Sequence, residues 1–193
     1  TALGTQAKGL SIGQRVGLGW YAGSCMHCRQ CMSGHHNLCR EGEQTIVGRH
    51  GGFAERVRCD WSWALPLPAA LDAKAAGPLF CGGLTVFSPI VDFDVRPTDR
   101  IGVVGIGGLG HLALQMARHK ELHVAAVDLS PEKLEMARKL GAEFACAGET
   151  AGRTLQKEYG GVDAAVVLTP SPAAIQQAFR SLKRNGTLVI VGI

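Results

Sequence analysis

The 193-residue chain has no apolar run near the roughly 18 residues that a membrane-spanning helix needs. It also has no block of lysine and arginine. Its formal net charge of +4 is dispersed, so its electrostatics do not favour a nucleic acid partner. The first third has neither an internal repeat nor a low-complexity segment. No secretory segment accompanies the cysteines, which weakens a disulfide framework and points to a reducing, cytoplasmic setting. There is no initiator methionine at Thr1, and Ile193 ends an apolar run that reads as a buried strand. Both ends are therefore expected to be cut from a longer polypeptide. Charged residues make up 19% and hydrophobic residues 46%, an ordinary globular balance with room for one or two domains.

Glycine and cysteine, by contrast, are well supplied. The 26 glycines exceed the usual share of about 7%, and several fall in pairs, as at Gly51-Gly52, Gly82-Gly83 and Gly107-Gly108. The seven cysteines are an odd number, and four of them are concentrated. Cys25, Cys28, Cys31 and Cys39 follow C-x2-C-x2-C-x7-C spacing, which lets four thiolates converge on one tetrahedral ion. Four ligands leave no open position, so the site reads as structural zinc. A rubredoxin-like or iron–sulfur site, a disulfide cluster and plain buried thiols are the weaker readings. His27, His35 and His36 lie in the same lobe and read as solvated loop residues, with metal ligation the lesser alternative.

Residues 14–20 predict a short strand. Gly51-Gly52 turns into residues 53–59, whose alternation predicts a second. Residues 60–68, with Trp61 and Trp63 among prolines, read as a loop and edge segment. From Leu71 the pattern becomes helical. Asp72 opens a helix that Pro78 restarts and that runs through Phe87, with Gly82-Gly83 suggesting close approach by a ligand or another backbone. From Asp99 onward strands and helices alternate. Strands are expected at 101–105, 123–127, 144–146, 164–168 and 187–191, with helices at 109–119 and from Ser130-Pro131 to Gly141. That alternation implies a parallel sheet covered on both faces.

Gly105-Ile106-Gly107-Gly108-Leu109-Gly110 matches G-x-G-x-x-G, a weak pattern alone. Here it follows a strand and opens a helix, and Asp128 ends the next strand 18 residues after Gly110. This context turns a glycine run into a dinucleotide fingerprint. Gly105 makes the turn, Gly107 admits the pyrophosphate and Gly110 packs helix on sheet. The helix N-terminus attracts phosphate, and Asp128 accepts from ribose hydroxyls. His111 reads as a helix-surface residue. Cys81, flanked by apolar residues, reads on its own as a core thiol.

Taken together, the cysteine lobe, Cys81-Gly82-Gly83-Leu84-Thr85 and the nucleotide fingerprint resemble the zinc-dependent medium-chain alcohol dehydrogenases. The resemblance covers almost the whole chain. Val16-Gly17-Leu18-Gly19-Trp20, Gly51-Gly52-Phe53-Ala54-Glu55 and Gly77-Pro78-Leu79-Phe80 bring it nearest to bacterial aldehyde reductases and cinnamyl-alcohol-dehydrogenase-like members. It implies an α/β fold: a Rossmann-type parallel sheet domain at 71–193, and at 1–70 the later part of a β-rich GroES-like catalytic domain carrying the zinc lobe. It also implies that Cys25, Cys28, Cys31 and Cys39 hold structural zinc, that Cys81 is one ligand of a catalytic zinc, and that Thr85 lies near the nicotinamide. By the same resemblance Gly105, Gly107, Gly108, Leu109, Gly110, Asp128, Lys133, Val191 and Ile193 border the cofactor.

The remaining ligands of the catalytic zinc and the proton relay belong, in such proteins, to sequence before Thr1, so the 193-residue chain alone is expected to be inactive. Asp128 favours NAD, although NADP stays possible because the nearest-looking relatives often lack that acid and use NADPH. The implied activity is hydride transfer between an alcohol and its aldehyde or ketone, in a homodimer or homotetramer with no nucleic acid or membrane partner. A second class stays open: a non-catalytic, zinc-containing nucleotide-binding or regulatory protein of the same fold. A third, a zinc-ribbon nucleic-acid binder, is disfavoured by the weak, scattered charge.

Overall fold

A computed structural model describes residues 2–93 and 95–192. The chain divides into two compact units, Thr1–Cys81 and Gly82–Ile193.

The first unit is mostly loop. Strand β1 (Val16–Gly17) pairs antiparallel with β4 (Leu65–Pro66), and β2 (Tyr21–Gly23) with β3 (Glu43–Gln44). The Phe80 ring lies so close over Gly17 that any side chain there would overlap it. Buried Thr45 donates its hydroxyl to the Gly19 carbonyl at 2.7 Å. The strand expected at 14–20 shrinks to β1, and the one expected at 53–59 does not form. Alternation is necessary for a strand but not sufficient. Residues 53–59 find no partner ladder and no core to face, and Phe53 is fully exposed.

The helix expected from Asp72 through Phe87 is broken into pieces. Asp72 caps α2 (Ala73–Ala76) by accepting the Lys74 N–H, and a 3-10 turn, Gly77–Phe80, follows. Cys81, at φ −125° and ψ −81°, leaves helical geometry before α3 (Gly82–Asp92) begins. Pro78 has no N–H to donate, which removes one rung of a continuous helix. The division of the chain into its two compact units falls at this break.

The second unit is a five-stranded parallel sheet of β5 (Arg100–Val104), β6 (His123–Asp128), β7 (Phe144–Ala147), β8 (Val162–Val167) and β9 (Leu182–Ile190), in the order β7-β6-β5-β8-β9. Alternation along the strands divides the core in two. Val103, Val124, Ala126, Ala164 and Val166 face one helical layer, whereas Val104, Ala125, Val127, Ala165 and Val167 face the other. The crossovers are α4 (Gly110–His119), α5 (Pro131–Lys139), α6 (Ala151–Thr154) running into a π turn, and α7 (Pro172–Ser181). Ser130 and Ser171 cap α5 and α7 ahead of prolines, each hydroxyl accepting a backbone N–H at 3.4 Å. The ladder of β9 jumps from Leu182 opposite Val162 to Thr187 opposite Ala164, with Asn185 at φ +63° in the gap. Its regular part is the 187–190 stretch. Among the described residues, no single helix is long and apolar enough to cross a membrane.

Candidate metal centre and nucleotide site

The C-x2-C-x2-C stretch folds as a knuckle followed by a single helical turn. Met26 adopts φ +62°, which turns the chain so that the Cys28 N–H points at the Cys25 sulfur, 3.3 Å away. Cys28 starts α1 (Arg29–Met32), and the Cys31 N–H lies 3.5 Å from the Cys28 sulfur. Cys39 arrives from the 3-10 turn His36–Leu38 and completes the set. The Sγ atoms of Cys25 and Cys31 lie 3.9 Å apart, those of Cys28 and Cys39 3.9 Å, and those of Cys39 and Cys25 3.6 Å.

These separations are far beyond the S–S bond of about 2.05 Å, which removes the disulfide reading. They match the edges, about 3.8 Å, of a sulfur tetrahedron around an ion held at about 2.3 Å. The residues present therefore fit a structural zinc. The N–H groups of His27 and Cys28 hold the Cys25 thiol down at about 6, towards the thiolate that a metal requires. His27 and Glu41 also approach Cys25. His35 joins no ligand cluster among the described residues, and His36 faces Ser24. Trp63 is packed, its ring near Tyr21 and edge-on to His36.

Of the other three cysteines, Cys146 is buried, and burial pushes its thiol up to about 11, an inert core group. Cys59 is half-buried and also raised by desolvation. Cys81 is exposed at the helix break and belongs to no cluster of three or more possible ligands among the described residues. It is not the core thiol that its apolar neighbours suggest.

In the second unit, the C-terminal ends of the strands converge. Gly105 takes φ +94°, a conformation open to glycine and rarely adopted by residues with a Cβ, and turns the chain from β5 towards α4. A Cβ on Gly110 would overlap the Gly105 carbonyl oxygen, so the third glycine lets the helix close on the turn. Around Gly107 and Gly108 there is nothing within 4 Å of a notional Cβ. That open side is a cradle into which a ligand phosphate can come, at the N-terminus of the ten-residue helix α4. Leu109 packs into the core and lies 3.2 Å from where a Gly82 Cβ would stand, with Leu112 at 3.6 Å. The close approach at Gly82 is thus to side chains at the start of α4. Thr85 sits on α3 with Gly82, half-buried. His111 bends back to the Gly107 carbonyl at 3.2 Å, as befits a helix-surface residue.

Asp128 ends β6 with both carboxylate oxygens engaged. Oδ2 accepts the Ile106 N–H at 2.7 Å, and Oδ1 accepts the Ser130 N–H at 2.9 Å. Lys133 Nζ stands 3.7 Å from Oδ2. On the other side of β5, the N–H groups of Val191 and Gly192 both donate to the Val167 carbonyl, at 2.9 and 3.1 Å. A Gly192 Cβ would meet the Thr169 backbone nitrogen at 2.5 Å. Leu168, expected only as the end of the fourth strand, and Thr169, to which the sequence gives no role, thus form a wall 3.4 Å from the notional Gly105 Cβ. The Thr-Pro step after the fourth strand was their available signal. Ile193 lies outside the described residues. The crevice at the sheet's reversal point, between strands that run outward on either side of β5, is where open parallel sheets take nucleotides. The glycine cradle and the acid at the end of β6 fit a dinucleotide.

Comparison with known proteins gives the family of the chain. Residues 1–69 match the alcohol dehydrogenase GroES-like domain, and residues 108–193 match the zinc-binding dehydrogenase domain. Aldehyde reductase AdhA of Synechocystis sp. is 48% identical over 141 residues, which is 73% of this chain and 42% of that protein. An alcohol dehydrogenase of Geobacillus stearothermophilus is 37% identical over 186 residues, 95% of this chain and 55% of that one. The solved alcohol dehydrogenase of Thermus sp. ATN1 superposes with a TM-score of 0.90 at 25% identity, covering 100% of this chain and 58% of the other. The chain spans about half the length of the curated relatives it matches. With both domain types, the four-sulfur lobe and the nucleotide crevice in place, the chain belongs to the zinc-dependent medium-chain alcohol dehydrogenase family.

Proposed function

We propose that the protein of which this chain forms part is an oxidoreductase that interconverts a small alcohol with its aldehyde or ketone, using a nicotinamide dinucleotide. The observation that carries the reading is the crevice built from Gly105, Gly107, Gly110 and Asp128 on a parallel sheet, in a chain of this family. The bound nicotinamide supplies or accepts the hydride. The chain's own residues bind and orient it. The open backbone at Gly107 and Gly108 receives the pyrophosphate, and the Asp128 carboxylate, whose oxygens have lone pairs to spare, accepts from the ribose. In this reading Val191 and Thr85 border the nicotinamide end, and Lys133 stands near the adenosine ribose. The preferred cofactor is NAD, because Asp128 would repel a 2′-phosphate, while Lys133 tempers that repulsion. The cysteine lobe holds a structural zinc and takes no part in catalysis.

Cys81 is proposed as one ligand of a second, catalytic zinc. Among the described residues Cys81 joins no cluster of three or more possible ligands, so in this reading the chain alone does not assemble that site. The 193-residue chain is accordingly inactive by itself, and the intact protein works in the cytoplasm as a homodimer or homotetramer. The test is made in the full-length protein by following NADH and NADPH oxidation with a panel of aldehydes and ketones. Turnover that falls with catalytic-zinc content in Cys81→Ser, while about one zinc per chain stays in the lobe, supports the reading. Wild-type activity in that variant returns Cys81 to a bystander. Cofactor binding without turnover on any carbonyl favours the non-catalytic alternative.

A further inference from the structure

Four thiolates around one divalent ion carry a net charge of −2, and a partly buried site must offset it with hydrogen-bond donors. Two of the sulfurs have them in the backbone: Cys25 from the Cys28 N–H and Cys28 from the Cys31 N–H. Cys31 is the most shielded of the four, only 6% exposed. Among the described residues its sulfur has one hydrogen-bond partner other than sulfur, the Ser24 hydroxyl at 3.4 Å. A metal-bound thiolate has no proton to give, so in the loaded site the hydroxyl donates.

A serine hydroxyl has a single proton, and its direction must be chosen. Ser24 Oγ also lies 3.2 Å from the Met26 sulfur, a weak acceptor, and 3.3 Å from His36 Nδ1. If Nδ1 carries the imidazole proton it donates to Oγ, and the hydroxyl proton then turns to the strongest acceptor in reach, the Cys31 thiolate. The imidazole is held in place for this. Its ring meets Trp63 edge-on at 5.6 Å, and the turn that carries it is tied down by the Tyr21 hydroxyl, which donates to the Asn37 carbonyl at 3.1 Å.

We propose that Ser24, oriented by His36, is a positioning residue of the zinc site, supplying through its hydroxyl the donor that the buried Cys31 thiolate lacks from the backbone. The chain of donation runs His36 Nδ1–H to Ser24 Oγ–H to Cys31 Sγ. It rests on the four-cysteine reading of the metal centre and goes beyond it, since neither residue is a ligand. Outer partners of this kind typically change metal affinity by 10- to 100-fold.

The experiment loads the 193-residue chain with Co(II), whose thiolate charge-transfer and ligand-field bands report on sulfur ligation. Zinc affinity is measured in parallel by competition with a chromophoric chelator. Ser24→Ala is expected to lose at least tenfold in zinc affinity and to shift the charge-transfer band. Ser24→Thr, which keeps the hydroxyl, should retain most of both. His36→Phe preserves the ring against Trp63 but has no nitrogen; the same band shift with a smaller loss of affinity is expected. Wild-type affinity and spectrum in Ser24→Ala would overturn the proposal, as would Ser24→Thr behaving like Ser24→Ala. Failure of the wild-type chain to give a four-thiolate cobalt spectrum would instead remove the metal assignment, and this inference with it.

Discussion

The backbone N–H of Ile106 donates to Asp128 Oδ2 at 2.7 Å, so the glycine turn after β5 is tied to the acid at the end of β6 before any ligand arrives. The carboxylate that reads the ribose in our proposal is therefore also a clamp on the loop that cradles the phosphates. These two duties separate by substitution.

Replacing Asp128 with Ser should lower kcat/KM for NADH at least tenfold in the full-length protein, the equivalent of about 1.4 kcal/mol. A looser turn should also weaken NADPH, so the ratio moves towards NADPH while neither cofactor gains much. Asp128→Asn keeps an acceptor for the Ile106 N–H and should bind both cofactors better than the Ser variant. An unchanged cofactor ratio in Asp128→Ser would show that this carboxylate does not read the ribose.

Gly107 and Gly110 should respond to alanine in opposite ways. Gly107 has open space around it, so Gly107→Ala should leave Tm within about 1 °C while weakening nucleotide binding, because the methyl occupies the cradle. Gly110→Ala drives a methyl into the Gly105 carbonyl and should cost about 1–3 kcal/mol of stability before binding is considered. Thermal melts with and without NADH distinguish the two. Equal melting losses would contradict the assigned roles.

Asp163 Oδ2 accepts the Arg100 N–H at 2.8 Å and the Lys183 ammonium at 2.7 Å. Burial pushes its carboxyl up, but the Lys183 and Arg100 hydrogen bonds and charges outweigh that, leaving it below the ordinary 3.8. A folded pKa below the unfolded one adds stability above the ordinary carboxylate range and loses it as pH falls through the lowered value. Because both side chains are about one-third exposed, the effect is modest. Asp163→Asn should lower stability by about 1 kcal/mol at pH 7, a Tm loss of about 2–4 °C, with the gap closing below about pH 4. A gap that widens in acid would reverse the argument.

Met26 occupies left-handed backbone, where a side chain costs about 1–2 kcal/mol, and it is half-exposed, so little packing opposes its removal. After allowing for glycine's freedom in the unfolded chain, Met26→Gly should stabilise the zinc-loaded chain by about 0.5–1 kcal/mol. Met26→Val, branched at Cβ, should destabilise it. Melts that rank valine above glycine would show that the turn is not strained.

Both candidate sites could be read directly because their determinants lie close together in sequence. The cysteines fall within one short lobe, and the fingerprint needs only one strand, one turn and the acid that follows. The sheet was equally legible, since runs such as Ala164-Ala165-Val166-Val167 have few alternatives to a strand buried on both faces. Residues 53–59 misled because alternation says nothing about whether a partner strand exists. The break at Cys81 was hidden because glycine and proline mark places where a helix can end without saying which one does. Ser24 and His36 were not legible as a pair: only the folded knuckle brings them to the same sulfur, and a serine beside a cysteine carries no signal of its own. The place of Leu168 and Thr169 beside Gly105 emerges only once β8 is set beside β5.

The strand order β7-β6-β5-β8-β9 has a consequence for how the sheet assembles. β5 is the first strand of this sheet in chain order and its central one in space. Each later strand adds to a free edge: β6 and then β7 on one side, β8 and then β9 on the other. No strand has to be threaded between two already paired. The turn at 105–110 and the acid at 128 meet once β6 has docked on β5, a contact of short sequence separation, which is the kind that forms early. The nucleotide cradle can thus take shape during synthesis while the second half of the sheet is still unmade.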